Sequence, residues 1–239
     1  MLKQYIETLL GGFSVPLLIL LVSAFRRDLE RRRADLTTMI GYTLYVALAS
    51  NGLAMHFSGS SYDPAFLRAD AILGFNPISF ADAIARHQVI TLVLMVAYIA
   101  LPLVIGLTWV LEQSLRMRRA VLIGGCLCFA CYGLFPAVGP GHYDWANQMP
   151  IADSPMNCMP SMHLTWALLL VLNARSQWLR WMLCAYVLLI AVSTLALREH
   201  YLVDLLAAVP YTFSIQWISG IMEVKAPILQ LQEVPHGRR

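Results

Sequence analysis

Charge is scarce in this chain. Only 13% of its 239 residues are Asp, Glu, Lys or Arg, where a soluble domain carries about 25%, and 59% are hydrophobic. That excludes an ordinary water-soluble domain and makes lipid the solvent for most of the sequence. Cysteine is too sparse and scattered for a zinc or disulfide framework. Cys126, Cys128, Cys131 and Cys184 lie inside apolar runs, where a free thiol acts as a small hydrophobe. Cys158 lies in a loop, and a bond to Cys131 stays open there as the minor alternative. The net charge of +3 reports membrane topology and gives no sign of nucleic-acid binding. A small-residue leader cleavage site is also missing, since Ala24 is followed by Phe25 and arginines, so the first apolar run is expected to remain as an anchor. No internal repeat or low-complexity linker is visible.

What is present is a series of apolar runs near the roughly 20 residues that cross a hydrocarbon core. Seven spans are predicted, at about 5–25, 36–57, 89–111, 121–138, 161–174, 181–197 and 201–220, the fifth being short. Unpaired backbone groups are too costly in lipid, and the runs lack the alternation of a barrel strand, so they are helices and the fold class is all-α, a polytopic membrane bundle. Three regions follow: a first span with a basic loop (1–35), a membrane catalytic domain (36–220) and a polar tail (221–239). All the cations except Lys3, Arg68, Arg86 and Arg198 fall on one side of the predicted membrane. By the positive-inside rule that side is cytoplasmic, which leaves the N-terminus outside and the C-terminus inside.

The outer segment 58–88 carries a helix signature, with Asp63 as N-cap, Pro64 at the first helical position and Gly74 as the stop. Its Phe66, Leu67, Ile72, Leu73 and Phe75 predict a short helix at the interface, either a lid over a lipid site or a connector packed on the bundle. Pro102 and Pro210 fall within spans and are expected to kink them. Arg68 and Arg86 either bind the lipid phosphate or anchor at the interface, His56 and His87 read as interfacial tips, and His142, Tyr143 and Asp144 read as a solvated loop with headgroup contact as the lesser alternative.

Ionisable groups inside spans are expensive, so each calls for a reason. Asp204 lies four residues after His200, which puts both on one helix face, where the carboxylate can hold one ring nitrogen protonated and leave the other as a nucleophile or base. A second cluster, Cys158-Met159-Pro160-Ser161-Met162-His163, opens the fifth span; the exposed N–H groups of that helix start make an anion site with His163 beside it. Spans five and seven begin on the same side, so both clusters face one aqueous edge. Two histidines and an aspartate could also bind a divalent ion, but with Arg198 adjacent the set suits an anion better.

These residues resemble those of the type 2 phosphatidic acid phosphatase superfamily. Pro160-Ser161-Met162-His163 is similar to its Pro-Ser-Gly-His motif, and Ser193-Thr194, five residues, His200 and Asp204 fit its Ser-Arg-x5-His-x3-Asp spacing. Thr194 replaces the arginine, and the family's Lys-x6-Arg-Pro is reduced to Tyr132-x6-Gly139-Pro140. The resemblance implies a six-helix core over about 36–220 plus one N-terminal span, with His200 as nucleophile, Asp204 orienting it and His163 protonating the leaving group. Ser161, Arg198 and the backbone at Met162 would hold the phosphate oxygens, and no metal or other cofactor would be required. With two family cations missing, the site should prefer a phosphodiester, which carries one negative charge, over a monoester dianion. The expectation is a membrane lipid donor, an acceptor alcohol or lipid, and headgroup transfer. The Met162 and His200-Tyr201 positions look like the inositol phosphotransferase branch, which includes inositol phosphorylceramide synthases. Location in a bacterial cytoplasmic membrane with the site facing outward is expected. Hydrolysis of a lipid monoester, of phosphatidic acid or polyprenyl pyrophosphate type, is the alternative within the family. A proton-coupled transporter is the alternative of another class, although the paired broken halves common in transporters are not visible.

Overall fold

Polar residues followed by proline start the outer helices. The computed structural model describes residues 36–38, 40–45, 48, 61–112, 114–151 and 154–231, with side chains as far as Ile221. The predicted first span, part of the second and His56 lie outside the described residues. Helix α1 spans Asp63–Ile72 with Pro64 in its first turn. Gly74 ends it at φ +74°, a left-handed conformation that glycine enters without strain. Helix α2 spans Pro77–Ala85, and the Asn76 side chain caps it by accepting the Ser79 N–H at 3.0 Å.

The structure corrects the role of Asp63. The N-cap position belongs to Tyr62, and Asp63 turns inward, fully buried. Its carboxylate accepts the Val138 N–H at 3.0 Å, the Gly139 N–H at 2.9 Å and the Tyr201 hydroxyl at 2.8 Å, with the Ser61 hydroxyl also bonded. Those distant donors would be orphaned without it, which outweighs a local cap.

Helix α3 (Gln88–Ile99) turns 116° away from α2, and α4 (Leu101–Glu112) follows after a break at Ala100. The predicted third span is therefore two abutting helices. Pro102 has no N–H to return to the Tyr98 carbonyl, while Ala100 N–H to Val96 and Val104 N–H to Ala100 hold the junction together at 2.9 and 3.0 Å. Helix α5 (Leu115–Leu134) is capped by Ser114; Pro136, Ala137 and Val138, expected to be helical, are instead buried non-helical chain. A two-stranded hairpin, β1 (Tyr143–Asp144) antiparallel to β2 (Met149–Pro150), leads to α6 (Met162–Asn173), α7 (Gln177–Ala196) and α8 (Leu202–Leu231). Helix α8 runs unbroken through Pro210 and continues past residue 220.

The result is an all-α membrane bundle with α6 at its centre, packed by α4, α5, α7 and α8. That position explains why Leu164, Trp166, Leu169 and Leu170 of one short helix are all buried. At about 18 Å long, α6 is surrounded by protein rather than lipid. Among the described residues, α5, α7 and Leu202–Ile221 of α8 are long and apolar enough to cross a membrane, and α2 with α3 would make a fourth crossing if they form one broken span.

The two ends of the bundle differ in chemistry. At one, Glu112 accepts the Arg175 and Ser176 N–H groups at 2.9 and 3.1 Å, and the Arg116 guanidinium reaches the Gln216 carbonyl. This end gathers Arg116, Arg118, Arg119, Arg175 and Arg180, while Trp178, Trp181 and Trp217 project outward beside it like an interfacial aromatic belt. The other end holds α1, α2, the 135–151 and 154–161 segments and the loop before α8.

Candidate active site

The short turn Leu197–Tyr201 joins α7 to α8 and delivers His200. Thr194, where the family motif has arginine, bonds its hydroxyl to the Ala191 carbonyl at 3.0 Å, and its own carbonyl accepts the Glu199 and His200 N–H groups at 3.0 and 3.3 Å. The turn is thus clamped back onto α7. From α1, Asp70 accepts the Leu202 and Val203 N–H groups at 2.8 and 2.9 Å, serving as a cap for α8 supplied from another helix. Burial pushes the Asp70 carboxyl up, and these two N–H groups partly offset it.

His200 is buried, with Nδ1 3.5 Å from Asp204 Oδ2. The same oxygen accepts the Tyr201 N–H at 2.8 Å and the Cys158 thiol at 2.7 Å, and Cys158 Sγ lies 3.5 Å from His200 Nδ1. Burial, followed by the Asp204 carboxylate, holds the Cys158 thiol well above its ordinary pKa, so it stays protonated and donates. The possible disulfide to Cys131 does not form: both cysteines are free.

Ser161 begins α6 as its N-cap, accepting from Leu164 N–H at 3.5 Å, and its own N–H donates to the Asp204 carbonyl at 3.3 Å. That bond ties the start of α6 to the first turn of α8, so the two helix N-termini meet. The His163 ring then stands edge-on to the His200 ring, centroids 6.1 Å apart, and stacks on Tyr98 of α3 at 4.1 Å. The Ser161 hydroxyl oxygen serves the cap, which leaves its hydrogen to donate elsewhere. Met162 presents its N–H at the first position of α6 while its side chain is buried in the core.

A strap, residues 139–142, closes over the turn. Gly139 adopts φ +93°, and Gly141 N–H donates to the Arg198 carbonyl at 2.8 Å. A Cβ on Gly139 would lie 2.3 Å from the Glu199 carbonyl oxygen, so glycine is needed for both the conformation and the close approach. Gly139→Ala is expected to lift the strap and displace Glu199 and His200. Activity should fall at least about 100-fold, and an unchanged rate would remove the strap from the account. At the end of the strap, His142 Nε2 pairs with Glu199 Oε2 at 3.2 Å.

A profile of the PAP2 superfamily matches residues 64–218. The chain belongs to the PAP2 superfamily. A search of curated proteins finds no match, and a search of solved structures finds none. As a PAP2 protein it falls among lipid phosphatases and phosphotransferases, and its apolar helices make it an integral membrane protein.

Within the PAP2 bundle His200, Asp204, His163, Ser161 and Met162 come together at one end. Arg198 behaves differently. It sits at φ +61° and forms an ion pair with Asp82 of α2. Tyr132, at the position of the family's first-motif lysine, is buried in the core against Phe129. Arg68, Arg86 and His87 are exposed on the outer helices. Sequence reasoning missed Tyr98 and Asp70 as neighbours of the site, and it placed Cys158 in the cluster that opens the fifth span without foreseeing its contacts with His200 and Asp204. Tyr98 and Asp70 have no signal in spacing. Cys158, His200 and Asp204 are also the described residues whose ligand atoms are close enough to share a metal ion, all within 4.8 Å of one another.

Proposed function

We propose that this PAP2 protein transfers phosphate esters on a lipid through a phosphohistidine at His200, favouring exchange of a headgroup phosphodiester with an acceptor alcohol, as in the inositol phosphotransferase branch. The observation that carries the reading is the pairing of rings: His200 backed by Asp204, and His163 facing it at 6.1 Å, within reach of the same phosphoryl group. His200 Nε2 donates its lone pair to phosphorus as the bond to the leaving oxygen breaks. Asp204 holds the Nδ1 proton and stabilises the charge that develops on the ring. The leaving alkoxide takes a proton from His163, which then accepts one from the incoming water or alcohol as the P–N bond breaks.

The equatorial oxygens would be met by the Ser161 hydroxyl, the Met162 N–H and the Arg198 guanidinium, which has enough N–H groups to keep Asp82 and add a phosphate oxygen. Charge supports a diester donor. Thr194 and Tyr132 stand where family cations would, and Arg198 is already paired with Asp82. The basic end of the bundle lies opposite the site, which under the positive-inside rule turns the site outward.

The test offers purified protein, in chelator, a phosphatidic acid monoester and a phospholipid diester with an acceptor alcohol. Faster turnover of the diester, with headgroup product formed, is expected. Turnover of the monoester alone would make the protein a lipid phosphatase, and activity lost to chelator would rule out the metal-free route.

A further inference from the structure

Cys158 is not needed by the phosphohistidine chemistry, yet it is buried against both members of the His200–Asp204 pair. We infer that Cys158 Sγ, His200 Nδ1 and Asp204 form an inhibitory site for a thiophilic divalent cation of the zinc type. The geometry is near what such an ion needs. Ligands at about 2.0–2.3 Å from tetrahedral zinc lie roughly 3.3–3.5 Å from one another. Sγ to Nδ1 and Nδ1 to Oδ2 are each 3.5 Å. Only Sγ to Oδ2, at 2.7 Å, is short, because a proton is shared there. Among the described residues Asp204 Oδ1 is buried without a hydrogen-bond partner, which provides a further oxygen on the same carboxylate.

Charge and protons balance. The cation replaces the thiol proton, which leaves to solvent, so a 2+ ion meets one thiolate and one carboxylate and the filled site is neutral, as burial favours. Coordination at Nδ1 has a second consequence. The ring proton can no longer reside on Nδ1 and is carried by Nε2 instead, which removes the lone pair that would attack phosphorus. Binding therefore switches off catalysis without occupying the phosphate subsite. The inhibitory half rests on the proposed His200 nucleophile, while the binding half does not.

The experiment titrates the purified full chain in detergent with cadmium, a spectroscopic stand-in for zinc. It follows the ultraviolet thiolate-to-metal charge-transfer band for wild type and Cys158→Ser. Serine keeps a hydroxyl that can donate to Asp204 and so protects the fold, but it is a poor ligand for a soft metal. The wild type should develop the band at micromolar metal, and the variant should require at least about 100-fold more, the order expected on losing support around a metal. No band in the wild type, or an undiminished band in the variant, would overturn the site, the latter by assigning the metal to other cysteines. In parallel, zinc should inhibit wild-type turnover non-competitively with lipid, chelator should restore it, and Cys158→Ser should resist. Full activity in protein that shows the band would overturn the inhibitory role. A wild type with no turnover even in chelator would count against the proposed function alone, because the band is read without activity.

Discussion

Replacing His200 with alanine should reduce turnover by at least about 10⁴-fold, the scale seen when a covalent nucleophile is removed. The protein should still insert and keep its thermal midpoint within a few degrees. The ring is buried and its polar contacts are the Asp204 and Cys158 side chains, so His200→Asn is the cleaner second variant: its amide nitrogen can stand near Nδ1 while nothing replaces Nε2. Rapid quenching with radiolabelled lipid should trap a base-stable, acid-labile phosphoenzyme in the wild type and none in either variant. A trapped phosphoenzyme that survives His200→Asn would place the nucleophile elsewhere. His163→Ala is the informative companion, because an acid lost from the leaving-group side slows release yet leaves His200 competent toward donors with good leaving groups.

The second large effect belongs to Asp63, which has no part in the proposed chemistry. Asp63→Ala should lower the unfolding midpoint by about 10 °C or more and reduce activity with it. The carboxylate satisfies the Val138 and Gly139 N–H groups and the Tyr201 hydroxyl, all buried. Each donor left without a partner costs about 1–3 kcal/mol, and for a chain of this length each 1 kcal/mol moves the midpoint by roughly 2–4 °C. The same bonds join α1, the strap and the residue after His200, so the site should loosen as the fold does. The contrast with His200 is the measurement: one variant loses activity at constant stability, the other loses both. An unchanged midpoint in Asp63→Ala would show that the hub is dispensable.

Much of the bundle was legible in the chain because lipid leaves few choices. A long apolar run must satisfy its backbone internally, so helices α5, α7 and α8 follow from hydropathy alone. The second outer helix was equally open to reading, since Asn76-Pro77 repeats the polar-then-proline start of Asp63-Pro64. The split at Ala100 and the non-helical Pro136–Val138 were less so. Hydropathy does not distinguish apolar helix from apolar chain buried under other segments, and Pro102 marks a disturbance without stating its outcome. Pro210 shows the other outcome, a proline absorbed within a continuous helix.

For the site, the sequence by itself determined what local spacing can determine. An i, i+4 step places His200 and Asp204 on one face, and a Ser-led helix start places His163 in the first turn of α6. Shared orientation of the two spans also put both clusters at one end. Only the tertiary structure decided who stands behind and beside them: Cys158 on the Asp204 carboxylate, Tyr98 against His163, Asp70 at the start of α8, and Asp82 holding Arg198. The physical reason is range. Backbone geometry correlates residues within a turn or two, whereas these contacts join segments up to more than a hundred residues apart, and packing of the whole bundle selects which of many polar side chains meets each buried donor.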